Sequence, residues 1–151
     1  MLRDLAILLV GLLLGVGIGY FGESYVRPYV SSYCFSSTLS LAYGNSTTVS
    51  VGQSITFKAM LDASIPSELQ SFEAQLKQFA LNNKPITLMM RVQNSTYWNI
   101  IETRNTLYAG QGEATFTYTF SEAGSFDFKA VWEGDNVLKP SESGVVTITV
   151  S

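Results

Sequence analysis

The chain has 151 residues, of which 46% are hydrophobic and 14% are charged, and its net charge is −3. It contains no histidine and one cysteine, which excludes histidine-based triads, metal sites that need histidine or several cysteines, and an intramolecular disulfide. The acidic balance argues against nucleic-acid binding, because that function needs a basic face for the phosphates. These exclusions leave a small β-rich domain, tethered to a membrane or secreted, with no evident catalytic chemistry.

An apolar segment without charges lies near the start of the chain, at residues 5–22. As a helix it would span about 27 Å, which is close to the hydrocarbon thickness of a bilayer. We therefore predict a single transmembrane anchor over residues 1–22. The alternative is a cleaved signal peptide, although the stretch is longer than a usual signal core. Gly11, Gly15 and Gly19 share one helix face and are a candidate surface for association with another membrane helix, although glycine is common in membrane spans.

Two Asn-x-Ser/Thr triplets suggest on which side of the membrane the rest of the chain lies. Asn45 and Asn94 each begin such a triplet, with no proline in the middle position, and both are candidate glycosylation sites. Together with the anchor, they favour a single-pass protein with a cytoplasmic N-terminus and an extracellular C-terminal domain.

Residues 23–37 form a connector that is unusually aromatic for a solvated linker. Apolar residues continue from it at alternate positions into the first predicted strand: Tyr33, Phe35, Leu39, Leu41 and Tyr43. A stretch this apolar should be buried against other protein surface. It either forms the first strand of its own domain or completes the sheet of a neighbouring copy by strand donation.

Residues 38–151 are typical of a β-sandwich. Short segments with period-two alternation, separated by turn residues, predict about seven strands. The alternation is clearest at 114–120, where Thr115, Thr117 and Thr119 point away from the core, and Trp98 is expected to face the core. One segment differs: the apolar spacing over 66–81 predicts a short amphipathic helix that covers the domain's own core.

Three stretches resemble the bacterial and archaeal Ig-like (Big-type) domains of cell-surface proteins. They are Val49–Phe57, Gly112–Asp135 and Ser143–Val150, which match an early strand pair, a central hairpin and a last strand. The resemblance implies an all-β, Ig-like sandwich with one helical insertion behind an N-terminal transmembrane helix. A single anchored domain of this kind is also similar to small archaeal surface proteins, including the Ig-like stator subunit of the archaeal swimming filament.

The expected function is that of a non-enzymatic structural or interaction subunit of a cell-surface assembly, such as an envelope layer, a filament or its stator. The expected partners are the lipid bilayer and other surface or membrane proteins, including a second copy of the chain, but no nucleic acid. No catalytic residue, cofactor or metal is predicted. Two alternatives are a ligand- or glycan-binding surface module and an accessory single-span subunit of a membrane enzyme complex.

Overall fold

A computed structural model describes residues 34–44, 46–107 and 111–151 of the chain. Their regular structure is mostly strand. The strands are β1 (Ser37–Tyr43), β2 (Thr48–Val49), β3 (Ser54–Ala63), β4 (Pro85–Val92), β5 (Asn99–Asn105), β6 (Glu113–Thr119), β7 (Gly124–Trp132), β8 (Ser141–Glu142) and β9 (Val146–Val150). Between β3 and β4 lie a 3₁₀ helix (Ser67–Phe72) and one α-helix, α1 (Glu73–Leu81).

The strands form two sheets. The smaller sheet has the order β1-β3-β6, and both of its pairings are antiparallel. The larger sheet has the order β2-β9-β7-β4-β5, with β8 paired to β7. The chain crosses from one sheet to the other at five connections: β1 to β2, β2 to β3, β3 to β4, β5 to β6, and β6 to β7. This alternation between layers is that of an Ig-like sandwich.

The core lies between the inner faces of the two sheets. Phe57 of β3 meets Phe128 of β7 with the ring centroids 4.5 Å apart, and both side chains are fully buried. Every second residue of β3 and of β7 points inward because successive side chains in a strand alternate between faces. The other large side chains that are fully or almost fully buried are Leu61, Leu81, Ile86, Leu88, Phe116, Phe120, Leu138 and Ile148.

The segment that was predicted as one helix over 66–81 is a 3₁₀ helix that continues into α1. Leu69 and Leu76 are buried, but the residues through which the insertion joins the core cluster are Ala80 and Leu81. Phe72 and Phe79, which belong to the same apolar spacing, are 36% and 41% exposed. The helical insertion therefore packs on the domain's own core through the last turn of α1, while half of its predicted apolar stripe stays exposed.

The first described residues dock against the loop between β7 and β8. The N–H of Phe35 donates to the carbonyl of Val137, and the N–H of Lys139 donates to the carbonyl of Phe35, both at 2.8 Å. Asp135 holds this loop together, because its Oδ1 accepts the N–H groups of Val137 and Leu138, both at 2.8 Å. The chain thus enters the sandwich at the end of the molecule where β7 finishes.

Partial burial acts to raise the pKa of Asp135. The hydrogen bonds from Lys84 and from the two backbone N–H groups outweigh burial, so the pKa lies below its ordinary value. A lowered pKa means that this carboxylate stabilises the loop above its ordinary pKa and that the contribution is lost as the pH falls through the lowered value.

The predicted anchor over residues 1–22, with Gly11, Gly15 and Gly19, lies outside the described residues, and so do Tyr33 and Asn45. In the part of the chain that the structure describes, no helix has the length and apolar character needed to span a membrane.

Candidate interaction surface

The register between β4 and β5 places Trp98 on the outer face of the larger sheet. Met90 pairs with Asn99 and Met89 with Ile100, after a bulge between Leu88 and Met89. Continuing this register by one residue sets Trp98 opposite Arg91, on the face that Met89 and Arg91 share. The expectation that Trp98 lies in the core is therefore wrong: its side chain is half-buried on the outside of the sandwich.

Two cations lie over the ring of Trp98. The guanidinium carbon of Arg91 is 4.6 Å from the ring centroid, and the Nζ of Lys129 is 4.9 Å from it. Arg91 belongs to β4 and Lys129 to β7, and both alternate with inward-facing residues. Each contact is within the distance at which an aromatic ring attracts a cation, an effect worth about 0.5–1 kcal/mol at exposed sites.

A buried carboxylate fixes one of these cations. Asp127 points outward from β7, yet only 6% of its side chain is exposed. Its Oδ2 accepts a hydrogen bond from Nε of Arg91 at 2.9 Å, and its Oδ1 accepts one from the hydroxyl of Thr147 at 2.7 Å. Because a buried charge needs such partners, Asp127 and Arg91 hold each other in place.

The second cation is held from the other side of β7. Nζ of Lys129 lies 2.9 Å from a carboxylate oxygen of Glu142 in β8. Side chains from β4, β7, β8 and β9 thus form one connected set around Trp98. The side chains that make it up are Arg91, Trp98, Asp127, Lys129, Glu142 and Thr147.

Two residues close to Trp98 in the chain are open to solvent: Tyr97 directly precedes it, and Ile100 lies on the same outer face through its pairing with Met89. Tyr97 is 80% exposed and Ile100 is 69% exposed. We call Arg91, Tyr97, Trp98, Ile100 and Lys129 the Trp98 face. Tryptophan, tyrosine and arginine are the residues most enriched at the energetic centres of protein interfaces. A fixed tryptophan beside exposed apolar groups can therefore bury apolar area against another protein with little loss of side-chain entropy.

Elsewhere on the described surface there are two open depressions, which we compare with the Trp98 face as candidate sites. An open groove of about 560 Å³ lies beside α1 and is lined by Thr38, Ser40, Met60, Asp62 and Lys77 among others. A second depression of about 370 Å³ lies beside Lys84, Trp132 and Asp135. Within residues 34–44, 46–107 and 111–151, no group of three acidic or cysteine side chains is placed to hold a metal ion.

The candidates for strand donation lie within the chain's own sandwich as far as they are described. β1 pairs with β3 of the same chain through Leu39↔Leu61, Leu41↔Ala59 and Tyr43↔Phe57. Leu39 is buried, Leu41 is half-buried and Tyr43 is exposed. Phe35 precedes β1 and pairs with Leu138 as an isolated bridge. Asn94, the described glycosylation candidate, lies in the loop between β4 and β5 and is exposed.

Solved structures similar to this fold include three of different kinds. The superoxide reductase (neelaredoxin) of Ignicoccus hospitalis is 12% identical with a TM-score of 0.46, over 74% of this chain and 80% of that one. A PKD domain of an M14-like peptidase from a Thermoplasmatales archaeon is 11% identical with a TM-score of 0.39, over 76% and 94%. The sulfur carrier protein SoxY of Chlorobium limicola is 9% identical with a TM-score of 0.43, over 85% and 90%.

No protein-family model and no curated protein matches the chain, so the Big-type assignment has no match in sequence. The similar structures include an Ig-like PKD domain and sandwiches of the superoxide reductase type. Since superoxide reductases are enzymes, the expectation that this chain is not an enzyme is contradicted and is not carried further. At these identities and TM-scores, the likeness assigns no activity to the chain.

Proposed function

We propose that this chain is a membrane-anchored, Ig-like interaction module of a cell-surface assembly, and that it contacts a partner protein through the Trp98 face. The apolar segment at residues 5–22 and the two glycosylation triplets support the anchored, external placement. The partner is a surface or membrane protein, and a second copy of the chain belongs to that class.

The observation that carries the proposal is the connected set around Trp98. Trp98 is half-buried on the outer face of the sheet, and tryptophan is among the residues most enriched at the energetic centres of interfaces. Two cations lie over the ring, and Ile100 adds exposed apolar area on the same outer face. Arg91 is held by Asp127 and therefore loses little freedom when a partner binds.

The shape of the Trp98 face favours a protein over a small molecule as the partner. Its members come from three strands of one sheet, β4, β5 and β7, and from the loop before β5, so they lie across a sheet surface. Small ligands are usually bound in concave sites that bury most of their area. A sheet face with a central tryptophan instead fits a macromolecular interface.

Photo-crosslinking tests the proposal in the chain's own membranes. A photoreactive amino acid replaces Ile100 in the full chain, and in a matched control it replaces Thr117, which is exposed on the outer face of the smaller sheet. We expect the Ile100 position to give an adduct with one surface or membrane protein, identified by mass spectrometry, and the Thr117 position to give none.

A second substitution links the adduct to the Trp98 face. Trp98→Ala should reduce the yield of the Ile100 adduct about tenfold or more, because truncating a central tryptophan typically costs 2 kcal/mol or more in binding. Circular dichroism checks that the variant is folded. Adducts of equal yield from both positions, or an Ile100 adduct that Trp98→Ala does not change, would contradict the proposal.

A further inference from the structure

We propose that Asn94 is an N-glycosylation acceptor, to which a transferase attaches a glycan from a lipid-linked donor. The inference rests on the external placement in the proposed function. It goes beyond that function because it assigns a covalent modification to the turn between β4 and β5.

The local backbone presents Asn94 at the tip of a turn. The N–H of Ser95 donates to the carbonyl of Val92 at 2.9 Å, which closes the turn. Asn94 has a φ of 68°, a left-handed conformation that asparagine adopts more readily than most residues. The residue is exposed, so an enzyme can approach it from solvent.

The two side chains that a transferase must engage are free. In the described part of the chain, neither the amide of Asn94 nor the hydroxyl of Thr96 has a hydrogen-bond partner, and both residues are exposed. By contrast, Nδ2 of Asn105 donates to Oδ1 of Asn83 at 2.8 Å, so those two amides are engaged with each other. Asn94 therefore offers its amide without breaking an existing contact.

The turn lies at the end of the sandwich opposite the chain's entry. The N–H of Gln93 donates to the carbonyl of Ser125, which is at the start of β7. Phe35 enters the fold beside Leu138, beyond the end of β7. With nine residues, β7 separates the two ends by about 26 Å. A chain anchored through residues before Phe35 thus holds Asn94 away from the membrane.

The reaction is a group transfer that balances without an oxidant or a reductant. Nδ2 of Asn94 attacks the anomeric carbon of an oligosaccharide linked to a lipid phosphate carrier, and a C–N bond forms. The bond between that carbon and the phosphate oxygen breaks, so the carrier leaves with the electron pair. The amide loses one proton to a base of the transferase.

Tryptic mapping of the full chain, purified from its own membranes, tests the proposal. Cleavage after Arg91 and Arg104 releases residues 92–104, which contain Asn94 as the start of one complete triplet. We expect this peptide to carry a sugar mass in the wild-type chain and in Thr96→Ser, which keeps the hydroxyl. The sugar should be lost in Asn94→Gln and in Thr96→Val.

Labelling of intact cells with a membrane-impermeant amine reagent separates the two ways in which the proposal can fail. The side chain of Lys58 is 56% exposed and lies on the outer face of the smaller sheet. If Lys58 is labelled and peptide 92–104 is unmodified, the glycosylation proposal is overturned while the external placement stands. If Lys58 is labelled only after lysis and the peptide is unmodified, the external placement and the proposed function fail as well.

Discussion

The outer faces of the two sheets follow the same alternation of side chains but differ in what they present. The smaller sheet presents hydroxyl groups and solvated ion pairs, such as Ser54 with Thr119 at 2.6 Å and Lys58 with Glu113 at 3.5 Å. The larger sheet presents Trp98 and a buried carboxylate, Asp127. A side chain can therefore point away from the core and still lie largely out of water.

The difference is one of mutual dependence. On the smaller face, water can replace each polar contact, so each contributes little to the free energy of unfolding. On the larger face, Asp127 has almost no access to water and depends on Arg91 and Thr147, while Arg91 in turn lies over Trp98. Substituting one member of this set should therefore change how much the other members contribute to the free energy of unfolding.

The largest loss of stability should come from a substitution in the core between the two sheets. Phe128 lies next to Asp127 in β7 but points inward and is fully buried. We expect Phe128→Ala to lower the free energy of unfolding by about 3–5 kcal/mol, because it leaves a cavity against Phe57. Urea unfolding measures this, with Thr117→Ser as a control that should change it by less than about 0.5 kcal/mol. Equal effects would contradict the assignment of inner and outer positions.

The same substitution at two outward aspartates compares the faces directly. Asp127→Asn should cost about 1.5–3 kcal/mol, because it removes the charge from two hydrogen bonds that water barely reaches. Asp62→Asn on the smaller face should cost less than about 1 kcal/mol, because the Asp62 side chain is 58% exposed. Urea unfolding of both variants at neutral pH gives the two values. A larger loss of stability in Asp62→Asn than in Asp127→Asn would contradict the proposed difference between the two faces.

Substitutions of Trp98 test how much its ring contributes to the stability of the larger face. Trp98→Ala should lower the free energy of unfolding by about 1–2 kcal/mol, because it removes two cation–ring contacts. Trp98→Phe should recover part of this loss. In a double-mutant cycle with Arg91→Met, the coupling energy should be about 0.5–1 kcal/mol. Additive effects would show that the ring and the guanidinium are merely adjacent.

The smaller face could be predicted from the sequence because its strands are regular. Thr115 and Thr117 of β6 oppose Lys58 and Thr56 of β3 without a bulge. Alternation in each strand alone therefore assigns every side chain to its face. The core position of Phe128 follows from the same alternation in β7.

The Trp98 face could not be predicted because it depends on a register between two strands. If the alternation of β4 continued past its end, Trp98 would face the core. The turn after Val92 and the bulge between Leu88 and Met89 instead set Trp98 opposite Arg91, on the outer face. A single-residue shift is enough to move a side chain to the other face of a sheet. The pairing of Asp127 with Arg91 and Thr147 likewise joins three strands, and no spacing within one strand contains it.

The smallest expected effect is a pH dependence on the smaller face. The hydrogen bond from Lys77 to Asp62 raises the pKa of Lys77 above its ordinary value of 10.5; partial burial opposes this, and Glu73 adds to it. A raised pKa means that the ion pair stabilises the fold below the ordinary pKa, and that this contribution is lost as the pH rises through the raised value.

Lys77→Gln should therefore be less stable than the wild type by less than about 1 kcal/mol near neutral pH. The difference should shrink when the pH is raised from neutral to a value above the ordinary pKa of 10.5, and also in high salt, since salt screens exposed charges. Urea unfolding of both proteins at the two pH values measures the change, and the comparison between variants cancels the titration of other groups. A difference that stays constant with both pH and salt would show that Lys77 contributes through packing of its aliphatic chain against the sheet, and the smaller face would then resemble the larger one more closely than we infer.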